Sequence, residues 1–106
     1  MDPDSGPIVT VFRSRLRSEA LPHYGQLASD MESRARAGSG LLDFKSFVAE
    51  DGERVSIVMF DTWLHHCRWR DDEEHLAAQR RGRRQFYSEY TIRVCQEVQH
   101  REFHGA

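Results

Sequence analysis

From Pro7 to Arg17 the chain alternates, with Ile8, Thr10, Phe12, Ser14 and Leu16 on one side and Val9, Val11, Arg13, Arg15 and Arg17 on the other. A period of two predicts a β-strand. Both sides begin apolar, which a strand wet on one face does not need. Leu21, Tyr24, Leu27, Ala28, Met31 and Ala35 then recur at helical spacing, with Ser18 as the expected cap and Pro22 fitting only the first turn. Gly38-Ser39-Gly40 is a stop signal. Leu41–Glu50 and Arg54–Phe60 read as two more strands, joined at Glu50-Asp51-Gly52-Glu53, where Asp-Gly marks a hairpin.

After Phe60 the period lengthens again. Asp61 or Thr62 can cap a short helix from Trp63 to about Arg70, and Asp71-Asp72-Glu73-Glu74 put negative charge at the start of a second one. Arg80, Arg81, Arg83 and Arg84 lie in its last turns, where the helix dipole favours positive charge. Gly82 interrupts it, at ~1 kcal/mol relative to alanine, and such a glycine often admits a close neighbour. Ser88–Phe103 reads as a long last strand. The order is β-α-β-β-α-β with the second helical region in two pieces: an α+β, ferredoxin-like chain with a four-stranded antiparallel sheet. One helical layer covers one sheet face. Val9, Val11, Phe47, Val58 and Phe60 are expected to oppose Ile8, Phe12, Phe44, Ile57 and Met59, so a second sheet is expected to cover the remaining face.

Size and composition narrow the class. The 106 residues make one domain, expected over 7–106 behind a loose tail of residues 1–6. A net charge of −2 gives no pull toward nucleic acid or anionic membrane. Lys45 stands against fourteen arginines, which reads as genomic base composition. Cys67 and Cys95 form no C-x-x-C motif, and a reduced, cytoplasmic protein is the simplest expectation. No apolar run approaches the ~20 residues that span a bilayer, and Met1–Gly6 is not a secretory signal.

The segment from Trp69 to Tyr90 carries the most information. It reads W-R-x-x-x-E-H-x-x-A-Q-x-x-G-R-x-x-F-Y-x-x-Y, through Trp69, Arg70, Glu74, His75, Ala78, Gln79, Gly82, Arg83, Phe86, Tyr87 and Tyr90. With Val11–Leu16, Phe44–Phe47 and Glu50–Arg54 in matching order, the chain resembles the antibiotic biosynthesis monooxygenase family over about residues 8–103. The resemblance implies a dimeric α+β barrel, hence a homodimer. It also implies cofactor-independent oxidation of a phenolic or anthrone-like aromatic by O2 to a quinone.

The same resemblance suggests site residues. In the branch acting on polyketide anthrones, a tryptophan matching Trp69 lines the substrate pocket. His75 stands where that branch often has tyrosine, and His65 where it has asparagine. An imidazole titrates near pH ~6.5, so His75 is the candidate proton acceptor with Trp69 as its catalytic companion. His65, Phe12, Phe44 and Arg13 are the candidate substrate contacts; His66 is expected to point elsewhere. Each has a plainer alternative: Trp69 as a packing indole, the histidines as surface groups, Arg80–Arg84 as a solvated helix end. The histidines match no zinc pattern. Haem-degrading relatives of this fold ligate iron with a histidine where this chain has Gln79, a poor axial ligand. No dinucleotide fingerprint or nucleophile motif occurs, so no cofactor is expected. The alternatives are a non-catalytic small-molecule binder or a hydroxy-ketone isomerase of the same fold, with haem binding or degradation behind them.

Overall fold

The computed structural model describes residues 6–105, with the side chains of residues 21–23, 73–75 and 78 excepted. The expected tail therefore lies outside the described residues apart from Gly6. The elements run β1 (Ile8–Leu16), a 3-10 turn (Ser18–Ala20), α1 (Leu21–Ala37), β2 (Leu41–Val48), β3 (Arg54–Phe60), α2 (Trp63–Arg70), α3 (Glu73–Arg81), a π-helical turn (Gly82–Phe86) and β4 (Tyr87–Gln96). The sheet is antiparallel in the order β2-β3-β1-β4. This is the ferredoxin-like arrangement expected from the alternating periods.

Register decides which side chains meet the helices. Ile8 pairs with Phe60, Thr10 with Val58, Phe12 with Ser56 and Ser14 with Arg54. Ile8, Val58 and Phe60 are buried, and Ala35 of α1 completes a cluster with Val58 and Phe60. A second cluster holds Ala20, Leu27 and Phe86. On the other face Val9 pairs with Met59 and Val11 with Ile57, and Phe47 pairs with Val55. The expected division of the strands is thus corrected: Val58 and Phe60 join Ile8, Phe12 and Phe44, while Ile57 and Met59 join Val9, Val11 and Phe47. Counting along β3 in isolation fixed its alternation but not its phase, which pairing sets.

Three boundaries also differ from the expectations. Ser18 does not cap α1; its hydroxyl donates to Glu19, and the helix starts one 3-10 turn later. β2 ends at Val48, and the turn to β3 is closed by the Ala49 amide donating to the Glu53 carbonyl at 2.8 Å, with Gly52 at φ +90°. β4 ends at Gln96, not Phe103: Gln96 faces Ile8, the first residue of β1, and beyond it the Glu97 amide donates to the Pro7 carbonyl at 3.0 Å. Thr62 caps α2, its hydroxyl accepting from the His65 amide at 3.1 Å. Among the described residues no helix is long and apolar enough to cross a membrane.

Gly82 opens the π-helical turn for a visible reason. A Cβ there would lie 2.5 Å from Cε2 and 3.0 Å from Cδ2 of Tyr87, a buried residue. In an ordinary helix interior Gly→Ala stabilises by about 1 kcal/mol. Here the sign is expected to reverse: Gly82→Ala should lower the thermal midpoint, since the Tyr87 ring must move. A raised midpoint would show that the ring gives way without loss.

Candidate functional site

A cavity of about 630 Å³ lies between the sheet and the helices. Thr10, Phe12, Phe44, Ser46, Ser56 and Val58 form its floor, and Tyr24, Met31, His66, Trp69, Leu76 and Gln79 come from the helical layer. Ile92 and Val94 of β4, 44% and 45% exposed, line the side that meets solvent. The lining is mostly apolar with a few polar groups, the usual make-up of a small-molecule site.

The two-piece helical region builds its closed end. α2 stops at Arg70, the chain turns through Asp71-Asp72, and α3 restarts at Glu73, which is where the acidic run suggested a bend. Trp63, His66 and Trp69 follow one another at spacing three along α2, so their rings share one side of the helix. The His66 imidazole stacks on Trp63 with centroids 5.3 Å apart, and Trp69 and Phe60 each stand 6.4 Å from it. Trp69 packs on Phe60 at 5.4 Å and also lines the cavity, so packing indole and cavity wall describe the same residue.

His66 is the residue that the sequence missed. It is only 2% exposed, and neither ring nitrogen has a hydrogen-bond partner among the described residues. Burial pulls its imidazole below the ordinary value of 6.5; the Arg70 charge acts in the same direction and Asp71 opposes it. A neutral imidazole with no hydrogen-bond partner among the described residues therefore lines the cavity at neutral pH. The signal was present in the Trp63-x-x-His66-x-x-Trp69 spacing. His65, four residues before Trp69, offers a second imidazole near the same helical side, so the spacing to Trp69 alone admits either.

The other candidates divide. Phe12 and Phe44 line the cavity as expected. His65 does not: its Nδ1 is 2.6 Å from Asp61 Oδ1, and this contact holds the Asp61 carboxyl below its ordinary value. That pair sits over Gly40, at φ +85°, where a Cβ would collide with both side chains. His65 thus holds Asp61 at the start of α2, and the Asp61 amide in turn donates to the Gly40 carbonyl at 2.8 Å. Arg13 lies on the outward face of β1 and pairs with Glu53 at 2.6 Å, so the expectation that it contacts a ligand in this cavity is corrected. Arg15, on the same face, pairs with Asp51 and Glu89. The His75 side chain lies outside the described residues. Gln79 lines the cavity where haem-degrading relatives carry histidine.

Polar groups on the floor complete the site. The Thr10 hydroxyl is buried and has no hydrogen-bond partner among the described residues. Ser46 and Ser56 face each other across β2 and β3 with hydroxyls 2.7 Å apart. At the opposite end Tyr24, Tyr87 and Tyr90 cluster around Phe12, and burial raises the Tyr87 phenol above its ordinary value. Among the described residues no group of three or more His, Cys, Asp or Glu side chains is placed to hold a metal ion. Cys67 and Cys95 are free thiols.

No family model matches the chain. It is 32% identical over 97 residues to YqjZ, an uncharacterised protein of Bacillus subtilis strain 168, across 92% of this chain and 85% of that protein. The chain belongs to the YqjZ family. Solved structures show where this YqjZ-family chain stands in fold space. Rv0793 of Mycobacterium tuberculosis superposes with a TM-score of 0.80 at 16% identity, covering 91% of this chain and 99% of that one. An antibiotic biosynthesis monooxygenase gives 0.74 at 14% identity, covering 87% and 99%. SnoaB of Streptomyces nogalater, described as a cofactor-independent oxygenase, gives 0.77 at 11% identity, covering 89% and 95%. The resemblance read from the Trp69–Tyr90 segment is therefore correct at the level of fold: this YqjZ-family chain has the fold of the antibiotic biosynthesis monooxygenases.

Proposed function

We propose that this chain is a monooxygenase that oxidises an electron-rich phenolic or anthrone-like aromatic with O2 to a quinone, without a bound cofactor. The observation that carries the proposal is the buried His66, with both ring nitrogens unpartnered among the described residues, in the wall of an aromatic-lined cavity. The fold shared with a protein described as a cofactor-independent oxygenase supports it.

The chemistry asks little of the protein. His66 takes a proton from the substrate, giving an anion whose charge spreads onto the ring oxygen. The Thr10 hydroxyl and the Ser46–Ser56 pair are the donors placed on the floor to meet that oxyanion. The anion passes one electron to O2, and the radical and superoxide recombine to a carbon-bound peroxide. The protonated His66 returns its proton to the distal peroxide oxygen. Cleavage of the O–O bond with loss of the remaining hydrogen on that carbon gives the carbonyl and one water. For an anthrone the balance is one substrate and one O2 to one quinone and one water, so no external reductant enters. Trp69, backed by Phe60, gives the ring a flat wall and excludes water. His75, which the resemblance implies as a proton acceptor, is proposed as a second relay. Oxygen uptake with anthrones and quinols tests the proposal; a substrate bound but never oxidised would favour the small-molecule binder of the same fold.

The assembly proposed with this activity is a homodimer packed sheet to sheet. Helices cover the Ile8–Phe60 face, while Val9, Val11, Ile57, Met59 and Phe47 lie on the face that no helix covers. A second copy would bury that apolar surface in an interface on the order of 2,000 Å² in total. Sedimentation at micromolar concentration is expected to give a dimer, and a monomer there would contradict the arrangement.

A further inference from the structure

The cavity's charges are distributed unevenly. Two carboxylates line it, and each is already paired: Glu32 with Arg36 at 2.8 Å and Asp71 with Arg70 at 2.9 Å. Two guanidinium groups at the tyrosine end have no carboxylate partner among the described residues. Arg83 lines the cavity from the π-helical turn, and its Nη1 donates to the Tyr90 hydroxyl at 3.4 Å. Arg54 is not part of the lining; it lies behind Tyr24 on the helix-covered face of β3, in the same cross-strand row as Ser14 and Tyr90, with its guanidinium 5.2 Å from the centre of the Tyr24 ring. Its charge is felt at the Tyr87 hydroxyl.

Resting on the reading of the cavity as an aromatic site, we propose that this end recognises an anionic substituent, so that the ligand is an aromatic acid with its carboxylate on the side of Arg83 and Arg54 and its oxidisable ring toward His66 and Trp69. A guanidinium fork matches a carboxylate and stays charged at any physiological pH. The Tyr24 and Tyr90 hydroxyls add donors beside it. The rows carrying Phe60 and Arg54 are six residues apart along β1, about 20 Å at ~3.3 Å per residue. The reach of two arginine side chains shortens this to the length of a fused tricyclic ring bearing a carboxylate. The arrangement also orients the substrate: the anionic end cannot pack against Trp69 and Val58 without losing its hydration.

The test uses two probes of one shape, anthraquinone-2-carboxylate and its uncharged carboxamide, titrated against the full chain by tryptophan fluorescence. The carboxylate is expected to bind about tenfold more tightly or better, as for a charge-assisted hydrogen bond, and raised salt should erode only its affinity. Arg83→Gln, an exposed change that keeps the fold, should remove most of this preference while leaving the carboxamide's affinity unchanged; Arg54→Gln should act in the same direction. Equal binding of the two probes, or an Arg83→Gln variant that retains the full preference or weakens both alike, would overturn the anion site while leaving the aromatic cavity standing. Failure of either probe to bind at all would overturn the cavity reading and this inference with it.

Discussion

His66→Phe is expected to lower the oxidation of a phenolic substrate by about 10²-fold or more, the lower range for loss of a general base, while leaving the fold as stable or more so. The two effects have opposite signs because His66 is a buried polar group with no hydrogen-bond partner among the described residues. Leaving a buried donor or acceptor unsatisfied costs about 1–3 kcal/mol. A phenyl ring of similar shape, set among Trp63, Trp69 and Phe60, removes that penalty. A residue kept only for packing would not show this combination. A variant that loses both stability and activity would reassign His66 to packing.

The pH dependence follows from the same burial. The folded imidazole lies below its ordinary value of 6.5. As pH falls below ~6.5, the unfolded chain binds a proton that the folded chain resists, so this group makes the fold less stable toward acid. The acid limb of kcat/KM should lie below 6.5 as well, since the base stays neutral to lower pH. In His66→Phe the part of the acid-side stability slope that comes from this group should vanish.

Phe60→Ala is expected to cost about 3–5 kcal/mol, the range for removing a buried aromatic. Phe60 is 1% exposed and touches both Trp69 and His66. Its loss would open a void beneath the His66 end of the cavity, and the helix carrying His66 would lose its seat on β3. Urea denaturation should show a lower midpoint with little change in slope. A loss below about 1 kcal/mol would mean that α2 settles onto the sheet without it.

Much of this architecture was legible in the sequence because it rests on local patterns. Alternation gave β1, the Asp51-Gly52 turn gave the hairpin, and Asp71-Asp72 marked the break between α2 and α3. Gly82 was read as a place of close approach, and the Tyr87 ring occupies it. What escaped depends on pairing between distant segments. The phase of β3 is set by Ile8 facing Phe60, and β4 stops at Gln96, opposite the first residue of β1. The candidate site was half legible for a related reason. Phe12 and Phe44 carry apolar bulk on the sheet face under the helices, and Trp69 carries it on the side of α2 that meets the sheet. His65 and His66 are neighbours on one short helix, and the spacing of three from Trp63 through His66 to Trp69 sets which imidazole meets the cavity, while Asp61 holds His65. Alternation already put Arg13 on the face opposite Phe12, and the structure keeps it there, so only its suggested contact with a ligand fails.

The central claim is tested most directly by mixing the protein, freed of metal and flavin, with an anthrone under isotopically labelled dioxygen. The account predicts one O2 consumed and one quinone formed per substrate, one labelled oxygen in the new carbonyl, and a rate far above that of the substrate alone and of His66→Phe. Oxidation no faster than in buffer, or a quinone whose new oxygen carries no label, would contradict it.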